Sequence, residues 1–137
     1  MSSPSPTHIV DQMMAHDAFS QWLGIEVLEV APGGCVLRMT VRPDMVNGFG
    51  VAHGGISFSF ADSALAFASN SHGKHALSIE TSISHVAPIQ PGDVLIATAI
   101  ELQNGTRLAR YSVSVTHDQQ TVALFHGTVF KKDTSWT

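Results

Sequence analysis

Residues 56–71 read ISFSFADSALAFASNS. The run holds no proline or glycine, and wound as a helix it is apolar on nearly every side. A surface helix carries one apolar stripe; a helix that is hydrophobic all round belongs in the centre of a fold. His72-Gly73-Lys74 ends it. The stretch therefore predicts one long central helix that the rest of the chain surrounds.

Downstream, residues 76–86 read as a strand, followed by the breaker Pro88-Ile89-Gln90-Pro91-Gly92. Residues 94–102, 107–115 and 121–130 give three more strands, joined by turns at Gln103-Asn104-Gly105 and Asp118-Gln119-Gln120. Upstream, residues 25–30 and 35–41 alternate around the turn Pro32-Gly33-Gly34 and read as a β-hairpin. Residues 8–23 carry Ile9, Met13, Met14, Phe19 and Leu23 near helical spacing, with Gly24 as the stop. They read as one amphipathic helix, and Asp17 is where a break would fall. Residues 1–7 and 133–137 read as tails, leaving one domain over 8–132. One apolar helix beside five to six mostly antiparallel strands predicts an α+β architecture, a curved sheet wrapped around that helix. Such an open sheet has edges, which oligomers commonly pair.

Composition limits the function classes. The chain of 137 residues is 44% hydrophobic and 13% charged, enough for a packed core and unlike a disordered chain. Its net charge of -4 argues against nucleic-acid binding through a basic surface. The single Cys35 excludes an internal disulfide framework and fits a reducing compartment, so the cytoplasm is expected. No run approaches the ~18 apolar residues of a membrane span. The eight histidines form no ligand-like pattern with acids, so neither a metal nor another cofactor is expected. Gly48, Gly50, Gly54 and Gly55 are not spaced for dinucleotide binding.

The chemistry-bearing residues lie just before and inside the central helix. Residues 42–55, RPDMVNGFGVAHGG, form a long loop for so small a domain. His53-Gly54-Gly55 falls where the helix begins. Its first N–H groups lack internal partners and favour negative charge, including a developing oxyanion. Asp62 is a carboxylate on a helix with almost no polar face, so its burial has to be explained. It is either a reacting group or an acceptor for a partner's backbone at an interface. Gly54 and Asp62 are eight residues apart, about 12 Å along one helix. One carbonyl cannot lie ~3 Å from both. A site using both needs Gly54 from one subunit and Asp62 from another, hence a dimer with two identical sites.

Asn47, the His53-Gly54-Gly55 triplet, Asp62, Pro88 followed by Pro91-Gly92-Asp93, and the late string TVALFHG together resemble the hotdog-fold acyl-CoA thioesterases, in particular the phenylacetate-pathway group. The resemblance spans roughly residues 15–132. It implies a hotdog fold in a homodimer at least, often a homotetramer, with active sites at subunit interfaces. It also implies that the Gly54 N–H polarises a thioester carbonyl, His53 orients the loop, and Asp62 attacks the carbonyl or activates water. Asn47 would position the water or the carboxylate. Related enzymes often carry a hydroxyl one turn after the acid; here Ala66 stands there, and Ser63 and Ser78 are the substitutes available. The family's contact with the CoA phosphate or pantetheine falls on Asn104, Gly105, Thr106 and Arg107, with Lys132 and its neighbour Lys131 as further cations. An acidic protein needs such a local basic rim for a ligand carrying about four negative charges; a plain hairpin turn is the other reading. The substrate expected is a small aryl- or short acyl-CoA. Two further readings are a hotdog hydratase or dehydratase and a non-catalytic acyl-CoA or acyl-carrier-protein binding module.

Overall fold

The computed structural model describes residues 3–137. Met1 and Ser2, the start of the expected tail, lie outside the described residues. Ser5 is an N-cap whose Oγ accepts from the His8 N–H at 3.1 Å, and Pro6 opens helix α1, Pro6–His16. The chain leaves helical geometry at Asp17, whose Oδ1 accepts from the Ser20 N–H at 2.9 Å and starts α2, Ala18–Leu23. The break expected at Asp17 is therefore a capping event: the carboxylate satisfies the first free donors of a new helix. Gly24, at φ 76°, closes α2.

Strand β1, Glu26–Ala31, pairs with β2, Gly34–Thr40, through a turn in which Gly33 adopts φ 80°. A short 3-10 turn, Pro43–Met45, then leads into the central helix α3, Gly54–Asn70. Four strands follow: β3, Lys74–His85; β4, Val94–Asn104; β5, Leu108–His117; and β6, Gln120–Ser135. They form one antiparallel sheet in the order β1-β2-β4-β5-β6-β3. The helix lies across the sheet's apolar face, with Phe60, Phe67 and Leu65 against Leu37, Tyr111 and Phe125, all essentially without solvent exposure. Small residues at Ala97, Ala99, Ala109 and Gly127 let the helix approach closely.

Two polar ties hold the far end of α3. The Ser71 Oγ accepts from the Gly33 N–H at 2.9 Å, joining the helix to the β1–β2 turn. Asn70, buried, donates to the carbonyls of Ala66 and Ala76, and its Oδ1 accepts from the Ala76 N–H and the Trp136 Nε1–H. Residues 133–137 therefore differ from the expected tail. The strand continues to Ser135 and the Trp136 N–H donates to the Gly73 carbonyl, because β3 offers a partner edge that far. Likewise Pro6 and Thr7 belong to α1 rather than to an N-terminal tail. Among the described residues no helix is long and apolar enough to cross a membrane.

Candidate active site

The loop before α3 is pinned on both sides. The Asn47 N–H donates to the Val51 carbonyl at 2.8 Å, and the Asn47 carbonyl accepts from the Gly50 N–H at 3.0 Å. Its side-chain Oδ1 accepts from the Phe49 N–H at 2.9 Å. The Ala52 N–H then bonds the Ile89 carbonyl, and the His53 N–H bonds the Met45 carbonyl. Asn47 thus shapes the loop with its oxygen, while its side-chain N–H groups have no partner among the described residues.

His53 caps α3. Its Nδ1 accepts from the Gly55 N–H at 2.9 Å, and its carbonyl accepts from the Ile56 N–H. These two bonds take the second and third donors of the helix. The first, the Gly54 N–H, is left without a partner among the described residues. It opens on a cleft of about 340 Å³ lined by Asn47, Val51, Ala52, Gly54, Ser57, His85 and residues 86–89. A free N–H at the positive end of a long helix, beside side-chain amide donors, suits an oxygen that gains negative charge.

Asp62 stands elsewhere. It is half-buried on α3, about two helical turns from Gly54. Burial pushes its carboxyl above the ordinary aspartate range, and the nearby Asp17 carboxylate adds to the rise. Within one chain, then, the cleft is lined by Asn47 and Gly54 but not by the acid, and His53 stays behind it as the cap of α3. Ser63 is also away from the cleft. Its Oγ lies 2.8 Å from that of Ser20, whose hydroxyl donates to Asp17 Oδ2 at 2.6 Å, so Ser63 ties α3 to α2.

The expected CoA-contacting residues gather at the opposite end of the sheet from the cleft. The turn after Asn104 is tight: the Gly105 N–H donates to the Leu108 carbonyl at 2.9 Å, and a Cβ on Gly105 would sit 2.8 Å from that oxygen. The Arg107 carbonyl accepts from the Lys131 N–H, which brings Lys131 and Lys132 beside Thr106 and Arg107. Arg107 donates to Asp133 at 2.6 Å, and this guanidinium holds the Asp133 carboxyl below its usual range. Ser78, exposed, lies on β3 opposite Val129 at this same end.

Three participants were missed from sequence. His85 and Ser57 line the cleft, and Asp17 lies near enough for its charge to raise the Asp62 carboxyl. Ser57 was readable as the residue one turn beyond Gly54; His85 comes from a distant strand and carried no local signal. Cys35 is buried, with its thiol pushed up to about 12 by burial, which makes it a core group rather than a nucleophile.

Comparison with known proteins agrees with this geometry. The model of the Thioesterase superfamily matches residues 49–124, which run from the end of the glycine loop through α3, β3, β4 and β5 into the start of β6. Over 116 residues the chain is 40% identical to the acyl-coenzyme A thioesterase PaaI of Escherichia coli, covering 84% of this chain and 83% of that one. The solved structure of E. coli PaaI superposes with a TM-score of 0.93 over 96% of both chains, at 35% identity. A Streptococcus mutans protein solved with acetyl-CoA bound matches with a TM-score of 0.79 at 25% identity, over 82% of this chain and 91% of that one. The curved sheet around α3 is thus a hotdog fold, and the chain belongs to the thioesterase superfamily as a thioester hydrolase.

Proposed function

We propose that this chain hydrolyses acyl-CoA thioesters of small aryl or short acyl groups, with phenylacetyl-CoA and its hydroxylated relatives as the leading candidates. The observation that carries the reading is the free Gly54 N–H at the start of α3, opening on a cleft beside Asn47. The preference for an aryl-acetyl group draws on the likeness to PaaI, whose structure is described as coming from the phenylacetic acid degradation operon. The CoA donor draws on PaaI and on the acetyl-CoA-bound relative.

In this reading the site is shared between two chains. Strand β3 is an edge of the sheet, and Leu77 and Ile79 on it are 62% and 60% exposed. Antiparallel pairing of β3 with a partner's β3 extends the sheet and sets the two α3 helices side by side in opposite directions. The partner's Asp62 then stands across from Gly54. The Arg107, Lys132 and Ser78 end of one chain approaches the cleft end of the other. Two such dimers would form the homotetramer, and the expected compartment is the cytoplasm.

The chemistry follows from those positions. The Gly54 N–H holds the carbonyl oxygen and Asn47 holds the attacking water. The water oxygen bonds the carbonyl carbon, its proton passes to Asp62, and the carbon–sulfur bond breaks to release CoA thiolate and the free acid. Alternatively an Asp62 oxygen bonds the carbon, the carbon–sulfur bond breaks to release CoA thiolate, and water attacks the Asp62 carboxyl carbon of the resulting anhydride to free the acid. A single turnover in ¹⁸O-water separates the two, because only the second leaves label in the Asp62 carboxylate. The function is tested by thiol release from phenylacetyl-, hydroxybenzoyl-, short aliphatic and long aliphatic CoA, with Asp62→Asn alongside. Release that Asp62→Asn abolishes supports the reading. No release from any member points instead to a binding module.

A further inference from the structure

The cleft contains a second polar pair that the reading above does not use. His85 ends β3, and Ser57 sits one turn into α3, 2% exposed. The Ser57 Oγ lies 3.3 Å from His85 Nδ1 and 3.2 Å from the Gly54 carbonyl. The ring itself packs on Gly54. A Cβ built there would meet His85 Nε2 at 3.1 Å and Cε1 at 3.4 Å. The imidazole therefore occupies the space beside the very residue whose N–H is free.

Ser57 has one proton and two acceptors within reach. When the hydroxyl points at the Gly54 carbonyl, Nδ1–H of the ring donates to Oγ and Nε2 is a bare lone pair. When the hydroxyl turns to Nδ1, the ring proton resides on Nε2, on the Gly54 side of the ring. His85 is exposed in the single chain, so solvent can exchange the ring proton. An oxygen gaining charge at the Gly54 N–H favours the second arrangement, since Nε2–H then presents a second dipole to it.

We propose that His85 is a further catalytic residue: its Nε2–H gives a second hydrogen bond to the thioester carbonyl oxygen held by the Gly54 N–H, and Ser57 is the positioning residue that sets its tautomer. No bond forms or breaks at the ring; it stabilises the charge that appears on the oxygen and gives it up when the thiolate leaves. The inference rests on the thioesterase reading and adds a donor to its site.

The test is steady-state kinetics of wild type, His85→Phe, His85→Gln and Ser57→Ala on an acyl-CoA that the wild type turns over, with melting curves of each variant. His85→Phe keeps the ring's bulk and removes the donor, so kcat is expected to fall about a hundredfold with KM nearly unchanged. His85→Gln restores a side-chain N–H at similar reach and is expected to recover about tenfold of that loss. Ser57→Ala is expected to lower kcat severalfold while His85 remains. Wild-type kcat in His85→Phe, a loss confined to KM, or a Gln variant no better than Phe overturns the proposal and leaves the thioesterase reading standing. A wild type that releases thiol from no acyl-CoA overturns both.

Discussion

Leu65 of α3 occupies the space that a side chain on Gly127 of β6 would need: its Cδ2 lies 2.5 Å from where a Cβ would be. The pair is how the helix seats on the sheet. Gly127 faces Tyr111 on one neighbouring strand and Thr81 on the other, so the helix meets the sheet at a bare backbone. Both residues are buried, so Leu65 has little room to yield. Gly127→Ala is expected to destabilise the fold by about 1–3 kcal/mol through overpacking. Leu65→Ala alone costs about 2–5 kcal/mol. In the double variant the two losses should not add, because the smaller side chain vacates the contested space. Chemical denaturation of all four proteins measures this; full additivity would mean that the two positions are not coupled.

Asp62 sets stability against function. Its carboxyl is held above the ordinary range, so between the unfolded and folded values the native chain keeps a proton that the unfolded chain loses. Stability falls as pH rises through that window, and the ionised group is a liability at neutral pH. Asp62→Asn is therefore expected to raise the melting temperature by a few degrees at pH 7 and by less at pH 4. The same variant should lose most turnover. A lower melting temperature at neutral pH would contradict the assigned strain.

Asp17 is expected to act on the pH profile. Removing its charge with Asp17→Asn keeps an oxygen for the α2 cap but relieves the like-charge repulsion on Asp62. The acid limb of kcat should move toward lower pH while the plateau stays close to wild type. An unmoved limb would mean that burial alone sets the Asp62 titration.

Sharing the site between chains can be read from mixtures. Asp62→Asn and Gly54→Val each disable a residue of the proposed site, and each homodimer should be inactive. A dimer of one chain of each kind has one intact site, made of Gly54 from the first and Asp62 from the second. Refolding the two in equal amounts should restore about a quarter of wild-type activity, since half the dimers are mixed and each has one good site of two. A site built within one chain would restore none.

Asn70 is expected to be a stability residue with no catalytic share. It satisfies the Ala66 and Ala76 carbonyls, the Ala76 N–H and the Trp136 indole from one buried amide. Asn70→Ala strands several of these and should cost about 2–3 kcal/mol. Removing residues 133–137 should cost part of the same. Equal denaturation midpoints for wild type and Asn70→Ala would show the network to be dispensable.

The α3 segment was legible because its signal is local: a sixteen-residue run without proline or glycine, apolar on nearly every side of a helix and bounded by glycine, reads as a central helix. The strands were legible for the same reason, within a few residues at their ends. The reach of β6 to Ser135 was not, since it depends on β3 being beside it. The break at Asp17 was located, but not that its carboxylate would lie near Asp62. The loop and helix start named Asn47, His53 and Gly54; Asn47 and Gly54 line one cleft, and His53 caps the helix beside it. Ser63 carried a hydroxyl at a suggestive position, yet packing directs it to Ser20.

By itself, then, the sequence determined the central helix, its surrounding sheet, the glycine-rich entry to that helix and the acid two turns along it. All of these are written in spacing and period, which neighbouring residues alone decide. Only the tertiary structure decided that His85 lies on Gly54, that the Asp17 charge reaches Asp62, and that Arg107 meets Asp133 beside Lys131 and Lys132 at the far end. Those pairings join residues distant in the chain. They follow from strand order and register, which the packing of the whole sheet against α3 selects.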